Sequence, residues 1–297
     1  MTFELTDSIK NDIMFAMEDQ NSQSAFNAAE NKVVSFIKNF DNTAEDLKID
    51  ENKVYSKHVN LDYDYLIIAT GGVTIPQTGS NGSGHKFSSK LGHTITEILP
   101  AEVPLVSDEP FIKDRVLQGL SFSDVGINVV NKKGRVRKSL VHDLLITHFG
   151  LSGPGALRAS FFCLNLLNKE GYCDIVIDFI PNTKVDDTLD LKEVTTKSEI
   201  PKRLINFIKE DCTSDLEVLE KLKKFKVNIK QTRSIKHAFV TNGGINLKEV
   251  DPKTLKSKIN PKISFCGEVL DLNAYTGGFN ITTAFTTGYT AGQHILN

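Results

Sequence analysis

The stretch ISFCGEVLDLNAYTGGFNITTAFTTGYTAG, residues 263–292, decides how this chain folds. It opens with the apolar run Ile263–Cys266, passes Glu268 and Asp271, and reaches Gly277-Gly278 before a segment without charged residues. Such a run is typical of a strand buried on both faces, and a helix that begins after two glycines leaves backbone N–H groups free. Because the positive end of the helix dipole attracts electron-rich oxygens, the pattern predicts a ligand in front of this helix.

A second buried strand is predicted in DYDYLIIATGG, residues 62–72. Its apolar run, Tyr65–Ala69, ends at the sharp turn Thr70-Gly71-Gly72 and is followed by a glycine-rich loop with Gly79, Gly82 and Gly84, which leads into a short helix ending near Gly92. Glycines at this density allow either a close approach to a ligand or tight turns. Neither this loop nor any other segment has the GxGxxG spacing of a dinucleotide-binding turn.

The composition is that of an ordinary globular protein. Of 297 residues, 40% are hydrophobic and 24% charged, which argues against disorder. The net charge of −2 and the lack of long basic runs predict no nucleic-acid partner, and the lysines within 221–226 are interpreted as a solvated helix face. No apolar run reaches the ~20 residues of a membrane span, and the first residues lack a signal-peptide core. The expectation is therefore a cytoplasmic protein without a membrane partner.

The cysteines and histidines give no metal or redox motif. Four cysteines, at positions 163, 173, 212 and 266, are scattered without a CxxC pair, so neither a zinc knuckle nor a redox pair is predicted. The histidines show no metal-ligand spacing with carboxylates. We expect no metal site.

The segments between the two buried strands predict a different architecture. Alternating patterns in PLVSDEP, GLSFSDVGINVV and GRVRKSLVHDLLITHF indicate antiparallel strands, and SEIPKRLINFIKED and SDLEVLEKLKKF indicate amphipathic helices. In THFGLSGPGALRAS, Ser152 or Gly153 can cap a helix that has Pro154 in its first turn. Residues 62–100 and 263–297 are therefore assigned to one α/β domain, 101–262 to an inserted β-rich domain with helices, and 1–61 to an uncertain segment.

Five ordered stretches together resemble one known family. DYDYLIIATGG, GSNGSGHKFSSKLGH, LLITHFGLSGPGALRAS, AFVTNGGINLKEVDPKTLKSK and the opening stretch are similar, from about Asp62 onward, to the bacterial BaiN-like NAD(P)/FAD-dependent oxidoreductases. ATGG is a weak signal, whereas THFGLSGP and GEVLD followed by TGGFN are specific. The resemblance implies a partial Rossmann-type FAD-binding domain interrupted by an inserted β-barrel-like domain that carries helices.

The resemblance also implies roles for particular residues. The turn passing the FAD phosphates and adenosine would be Ala69 to Gly72, with Thr70 and Gly71 between them. The strand end meeting the ribityl chain and pyrophosphate would include Gly267 and Glu268, with Asp271 either binding a cofactor hydroxyl or making a turn. The helix start at the flavin ring would comprise Gly277, Gly278, Phe279, Asn280 and Ile281. The turn with Thr241, Gly243 and Gly244 would lie on the substrate side.

One part of the family pattern is missing. Members begin with a βαβ unit that carries GxGxxG and an acidic residue at the end of its second strand, and no residue before Asp62 supplies either. The expectation is a family member lacking most of this half, in which FAD binds weakly and the flavin-ring side is better preserved than the adenosine side. A partner chain that supplies the missing half is one way in which FAD binding would be restored.

Three residues invite a catalytic assignment. His148 could polarise a carbonyl or transfer a proton, or it could be a structural hydrogen-bonding residue. Ser152 is better interpreted as a helix cap than as a nucleophile, and Glu268 as a cofactor ligand rather than an acid or base. Two functions follow: a flavin-dependent oxidoreductase acting on a small organic substrate, with NAD(P)H or oxygen as redox partner, or an inactive fragment that needs a partner chain.

Overall fold

In the computed structural model of this protein, the described residues are 48–50, 52–55, 60–275 and 277–295. Their strands are β1 Lys48–Asp50, β2 Lys53–Tyr55, β3 Asn60–Asp62, β4 Leu66–Ile68, β5 Leu99–Ala101, β6 Leu105–Val106, β7 Ser121–Val130, β8 Val136–Ile146, β9 Gly150–Ser152, β10 Cys173–Asp178, β11 Phe225–Ile229, β12 Gln231–Thr232, β13 Val240–Asn242 and β14 Ile263–Phe265. Their α-helices are α1 Ser83–Lys90, α2 Pro110–Lys113, α3 Gly153–Glu170, α4 Leu191–Lys197, α5 Lys202–Lys209, α6 Asp215–Lys223 and α7 Phe279–Gln293.

The largest sheet is antiparallel and has seven strands in the order β11, β10, β7, β8, β9, β6, β12. Its two edge strands, β11 and β12, are separated in sequence only by Lys230, so the sheet must curl until its edges approach each other. The Ser107 hydroxyl donates to the Asn228 carbonyl across this gap at 2.7 Å. Among the described strands no ladder joins β11 to β6 or β12, so a closed barrel is not found and the barrel-like part of the predicted fold is not confirmed.

The helix α3 covers one face of this sheet, and Gly155 sets how closely it packs. A Cβ on Gly155 would lie 2.2 Å from the Ile127 side chain and 3.0 Å from the Asp143 carbonyl oxygen. Only a glycine therefore lets the helix lie this close to β7 and β8. The helix ends at Gly171, which has a φ of 63° and closes the last turn through its N–H to the Leu167 carbonyl.

β10 differs from its sequence pattern for a topological reason. The alternation in YCDIVIDFIP predicts a half-buried strand, yet four of its six residues are buried and the other two are half-buried. The strand pairs with both β11 and β7, so it lies inside the sheet, and α6 packs against it. The helix α3 also packs against β10, and Asp174 is buried by its hydrogen bonds with Tyr172 and Asn228 and its ion pair with Lys226. These tertiary contacts, which the local pattern does not encode, remove the expected exposed face.

A second, smaller region contains the two strands predicted to be buried. β4 and β14 pair in parallel, with Leu66 opposite Ile263 and Ile68 opposite Phe265. The antiparallel strands β1, β2 and β3 belong to the same region, since Val54 of β2 is part of the hydrophobic core around β4 and β14. The polar, weakly periodic segment 41–53 predicts a mobile arm, so the strand β1 and the start of β2 differ from that prediction. The helix that the spacing of Val33, Ile37 and Phe40 predicts lies outside the described residues.

The helix α7 packs beside β14 and carries the end of the opening stretch. Ala291 is buried in the core around β4 and β14, whereas Ile281, Phe285 and Tyr289 are exposed. No α-helix within the described ranges is both long and apolar enough to cross a membrane. The predicted domain boundaries at residues 62, 100 and 263 remain predictions.

Candidate functional site

The parallel pair of β4 and β14 places two predicted cofactor segments next to each other. Residues 69–72 follow the carboxyl end of β4, and residues 266–268 follow the carboxyl end of β14. The Cys266 N–H donates to the Ile68 carbonyl at 3.2 Å, which extends the pairing by one step. In open α/β sheets, ligands bind outside the carboxyl ends of parallel strands. This edge is therefore the candidate functional site.

Glu268 ties this edge to a third segment, the strand β13. Its Oε1 accepts from the backbone N–H of Thr241 and lies 3.5 Å from the Thr74 hydroxyl. The Thr241 hydroxyl in turn accepts from the Val73 N–H at 2.9 Å. No described residue donates to Glu268 Oε2, so one carboxylate oxygen remains available to a ligand hydroxyl.

Gly72 is required by this arrangement rather than by a ligand alone. An added Cβ would lie 2.1 Å from the Thr241 Oγ1 and 2.8 Å from the Glu268 Oε1. Residues 72–74 are therefore packed directly against Thr241 and Glu268. At Gly72 of the ATGG turn, the close approach is therefore between two parts of this chain.

The glycine-rich loop before α1 also serves internal packing. An added Cβ on Gly84 would lie 1.9 Å from the Thr70 Oγ1, and one on Gly82 would lie 2.7 Å from the Val73 side chain. Gly71 has a φ of +70° and faces the Ser80 hydroxyl. The loop and the ATGG turn thus fit together, which supports the tight-turn alternative for these glycines.

Gly267 attaches the strand end to α7. Its N–H donates to the Thr287 hydroxyl at 2.9 Å, and its φ of +73° is a conformation that favours glycine. Because Thr287 lies two turns into α7, this bond fixes the helix beside β14. The start of α7 is thereby held on the same side of the molecule as Glu268.

The helix start itself has the free groups that the sequence predicts. Gly278 precedes α7 with a φ of +89°, and an added Cβ there would meet no atom within 4 Å. No described residue accepts from the backbone N–H groups of residues 279–281. The Asn280 side chain both accepts from and donates to the Ala274 backbone, at 2.7 and 2.8 Å, so it shapes the loop rather than facing a ligand. The N–H groups and the exposed side chains of Phe279 and Ile281 border open space.

The loop before this helix leans against the larger sheet, a contact that sequence reasoning missed. The Tyr275 ring lies 5.7 Å from both the Arg158 guanidinium carbon and the Lys138 ammonium nitrogen. An added Cβ on Gly277 would lie 3.7 Å from the Arg158 Nη2. These cation–aromatic contacts join residues more than 100 positions apart, so no local sequence pattern predicts them. They depend on where the fold places α3.

The residues predicted for the substrate side are explained by backbone packing. An added Cβ on Gly243 would lie 2.2 Å from the Glu97 carbonyl oxygen, and one on Gly244 would lie 2.6 Å from the Val269 carbonyl oxygen. The Asp271 N–H donates to the Ile245 carbonyl at 3.0 Å, which favours a turn-making role for Asp271. The substrate-side assignment of Thr241, Gly243 and Gly244 remains a prediction.

His148 is exposed in the tight turn between β8 and β9. The His148 ring is edge-on to the Phe149 ring, and the two ring centroids lie 5.0 Å apart. The guanidinium carbon of Arg233 lies 4.9 Å from the centroid of the same Phe149 ring. Arg233 also contacts the His237 Nε2 at 2.8 Å. Ser152 precedes α3 as its cap residue, but its side chain makes no capping bond. The cluster of His148, Phe149, Arg233 and His237 was not predicted as a unit.

His85, on α1, is a buried group near the carboxylate of Glu268. Its Nε2 lies 3.1 Å from the Val269 carbonyl oxygen, and no described residue pairs with its Nδ1. Burial lowers its pKa from the usual value, opposed by the Val269 hydrogen bond and by the charge of Glu268. His85 is therefore neutral near pH 7, with the Nε2 proton donated to Val269.

Other concave and polar features lie elsewhere. A cavity of about 440 Å³ in the seven-stranded sheet is lined by Glu109, Gly171, Tyr172, Lys226, Asn228, Ile229 and Lys230. None of the predicted cofactor residues borders it. Across the described ranges, no group of three or more His, Cys, Asp or Glu residues could hold a metal ion.

Several known proteins are similar to this chain. The ribosomal RNA dihydrouridine synthases of Escherichia coli K12 and Haemophilus influenzae are 26% and 27% identical over 254 residues, covering 78% and 77% of this chain. The 3-dehydro-bile acid delta(4,6)-reductase of Clostridium scindens is 28% identical over 261 residues, covering 77% of this chain. The chain spans about 60% of the length of these relatives.

A family model described as the HI0933-like protein Rossmann domain matches residues 7–294. The match begins well before Asp62, where the motif resemblance starts. Together with the bile acid reductase, it confirms the resemblance to the BaiN-like flavoproteins. The fold is a mixed α/β architecture, and the chain belongs to the HI0933-like Rossmann domain family.

Proposed function

We propose that this chain binds FAD at the carboxyl edge of β4 and β14 and is a flavin-dependent oxidoreductase. The observation that carries the proposal is the convergence of distant segments: residues 71–74, Thr241, residues 267–268 and α7 are joined by hydrogen bonds or direct packing. The N–H groups of residues 279–281 in the first turn of α7 have no acceptor among the described residues. This donor set suits the pyrimidine oxygens of a flavin ring.

The names of the relatives narrow the reaction class. Dihydrouridine is uridine with two added hydrogens, and delta(4,6) denotes double bonds, so both kinds of name describe hydrogen addition to a carbon–carbon double bond. We infer that this chain takes part in the same class of reduction. NAD(P)H is then the proposed electron donor, and oxygen is the proposed acceptor if the flavin is reoxidised without substrate.

The chain's own residues would bind and orient the cofactor and handle protons. FAD, when bound, supplies the hydride chemistry. The N–H groups of residues 279–281 would stabilise negative charge on the ring, and Glu268 Oε2 would accept from a ribityl or ribose hydroxyl. His148, exposed and edge-on to Phe149, is the proposed proton donor to the substrate carbon that does not receive hydride. Donors for the pyrophosphate are not found among the described residues.

The proposal is tested by titrating the purified chain with FAD and following flavin fluorescence, beside Gly278→Val. A valine at Gly278 would cover the free N–H groups, so we expect at least about a tenfold loss of FAD affinity, the equivalent of one or two hydrogen bonds. The matched control is Gly119→Val, because Gly119 is also exposed, has a φ of +84° and has no atom within 4 Å of an added Cβ. Equal loss in both variants would refute the assignment.

The second candidate is a chain that binds FAD only together with another polypeptide. It is favoured by the absence of a GxGxxG turn from the 297 residues. Under this alternative the chain stays colourless with excess FAD. Adding a separately produced βαβ segment from a relative would then restore flavin binding, and Gly278→Val would abolish the restored binding.

A further inference from the structure

The tip of the β7–β8 hairpin is a concentrated patch of positive charge. The seven residues 132–138, KKGRVRK, contain Lys132, Lys133, Arg135, Arg137 and Lys138, without an acidic residue between them. The first four are exposed, and Lys138 is half-buried. The chain as a whole has a net charge of −2, so this patch contrasts with the rest of the molecule.

Within the described part of the chain, these cations form no ion pair with a carboxylate. Glu170 accepts from the Asn131 side-chain amide at 3.3 Å rather than pairing with a cation of the turn. Asn131 also accepts from the backbone N–H groups of Lys133 and Arg135, which fixes the turn. The hairpin is thus rigid at its base, and its charges are left for another molecule.

The patch is continuous with the candidate flavin site. Lys138 lies 5.2 Å from the Phe162 ring and 5.7 Å from the Tyr275 ring, and Tyr275 belongs to the loop that precedes Gly277-Gly278. At ~3.3 Å per strand residue, Arg135 lies about 10 Å beyond Lys138. A linear polymer bound along the hairpin would therefore reach Tyr275, whose ring is 42% exposed.

The geometry points to the hairpin tip, residues 132–137, as a binding surface for the phosphate backbone of an RNA, with Tyr275 next to the nucleotide that enters the flavin site. A row of cations beside an exposed aromatic ring is the arrangement that binds single-stranded nucleic acid. This inference rests on the proposed function, since it makes an RNA the substrate that the flavin site reduces. Two of the relatives are named for ribosomal RNA, which favours RNA over an anionic membrane or an acidic protein.

The inference revises the expectation of no nucleic-acid partner. That expectation rested on the net charge and on the absence of long basic runs. The fold places the cations of residues 132–138 at one exposed turn, so the local charge density exceeds what the total suggests. No comparison tests either statement.

The test is fluorescence anisotropy with a labelled oligouridylate of about 20 nucleotides, measured at several salt concentrations on the full chain. The test variant combines Lys132→Gln, Lys133→Gln, Arg135→Gln and Arg137→Gln. We expect its Kd to rise about tenfold or more at low salt, and the slope of log Kd against log salt to fall by about 2 to 3, because up to four phosphate contacts are lost.

The matched control variant replaces four other exposed lysines, at positions 192, 197, 202 and 224, with glutamine. We expect it to bind RNA as the unchanged chain does. Equal weakening in both variants, or no binding of RNA by the unchanged chain, would overturn the inference. Tighter binding to phosphatidylserine vesicles than to RNA, lost in the hairpin variant, would also overturn it by assigning the patch to a membrane surface.

Flavin fluorescence is recorded in the same samples. RNA binding that depends on the hairpin in a chain that takes up no FAD would refute the proposed function and leave the surface in place. Flavin uptake without RNA binding would refute the surface alone. Circular dichroism of both quadruple variants shows that they are folded.

Discussion

The two regions of this molecule bury their apolar side chains to different degrees. Within the described residues, the core of the seven-stranded sheet and its helices contains 31 buried hydrophobic residues, whereas the core around β4 and β14 contains 13. The smaller region also holds the positive-φ glycines 71, 267, 277 and 278 and the exposed apolar side chains of α7. The larger region thus has the larger apolar core, and the smaller one contains the glycine turns of the candidate site.

This difference places stability and the candidate site in separate parts of the chain. Parallel strands are normally covered on both faces and belong to larger sheets, so a two-stranded parallel pair is marginal. The larger sheet supports the site through Arg158 and Lys138, which contact the loop before α7. We therefore expect core substitutions in the sheet to affect folding and substitutions near Glu268 to affect the site first.

The largest expected effect is that of Ile177→Ala, in the middle of the seven-stranded sheet. Ile177 is fully buried between β11 and β7, so truncation removes apolar contacts and leaves a cavity. We expect the free energy of unfolding to fall by about 2–5 kcal/mol. Urea denaturation followed by circular dichroism measures it. The exposed Ile259 gives the control, Ile259→Ala, and a similar loss in both would contradict the contrast.

The next effect is expected at the candidate site, for Gly72→Ala. The added methyl group would collide with the Thr241 side chain, and the resulting overpacking costs about 1–3 kcal/mol. Because the two shortest distances from the added methyl group are to the Thr241 side chain, we expect Thr241→Gly to remove much of the additional cost in a double-mutant cycle. Absence of coupling between the two substitutions would show that Gly72 is required for another reason.

The sequence predicted the large elements well for a physical reason. β7, β8, α3, α5 and α6 each carry a long apolar period or a clear cap signal, and the structure has them near the expected residues. The half-buried pattern predicted for β10 was wrong because the helices that pack on the strand and the partners of Asp174 come from distant segments. The hairpin of β1 and β2 was missed because its residues Ile49 and Val54 are few and its context is polar.

The candidate site was predictable only in outline. The strand ends and the glycine-preceded helix have local signals, and β4 and β14 do pair. The hydrogen bonds of Glu268 with Thr241, and the contacts of Tyr275 with Arg158 and Lys138, join residues far apart in sequence and have no such signal.

A smaller effect is expected from pH in the region around β4 and β14. Burial lowers the pKa of both His85 and His93, with Glu249 partly opposing it at His93. The Ser257 hydroxyl accepts from two backbone N–H groups, so its proton goes to the His93 Nε2, and the His93 Nδ1–H faces Glu249 at 3.3 Å. Protonation of the second ring nitrogen of either histidine therefore costs free energy in the folded chain.

The direction of the pH effect follows from linkage. Histidine in the unfolded chain titrates near pH 6.5, above the folded pKa of both residues, so the unfolded state binds more protons between the two values. The free energy of unfolding is therefore fully retained above about pH 6.5 and falls as the pH decreases toward the folded pKa. Urea unfolding at pH 7.5 and 5.5 measures it. His85→Gln, whose amide can still donate to Val269, is expected to lose less on acidification.

The smallest effect is expected for Phe285→Ser on the outer face of α7. Phe285 is 66% exposed, and phenylalanine and serine have similar helix propensities, so neither burial nor helix formation changes much. We expect the free energy of unfolding to change by less than about 0.5 kcal/mol in the urea experiment. The control is Ala291→Ser on the buried face of the same helix, where an unpaired hydroxyl in the core costs about 1–3 kcal/mol. A loss at Phe285 as large as at Ala291 would mean that the outer face is covered in the folded chain, and the contrast between the larger apolar core and an open site region would have to be abandoned.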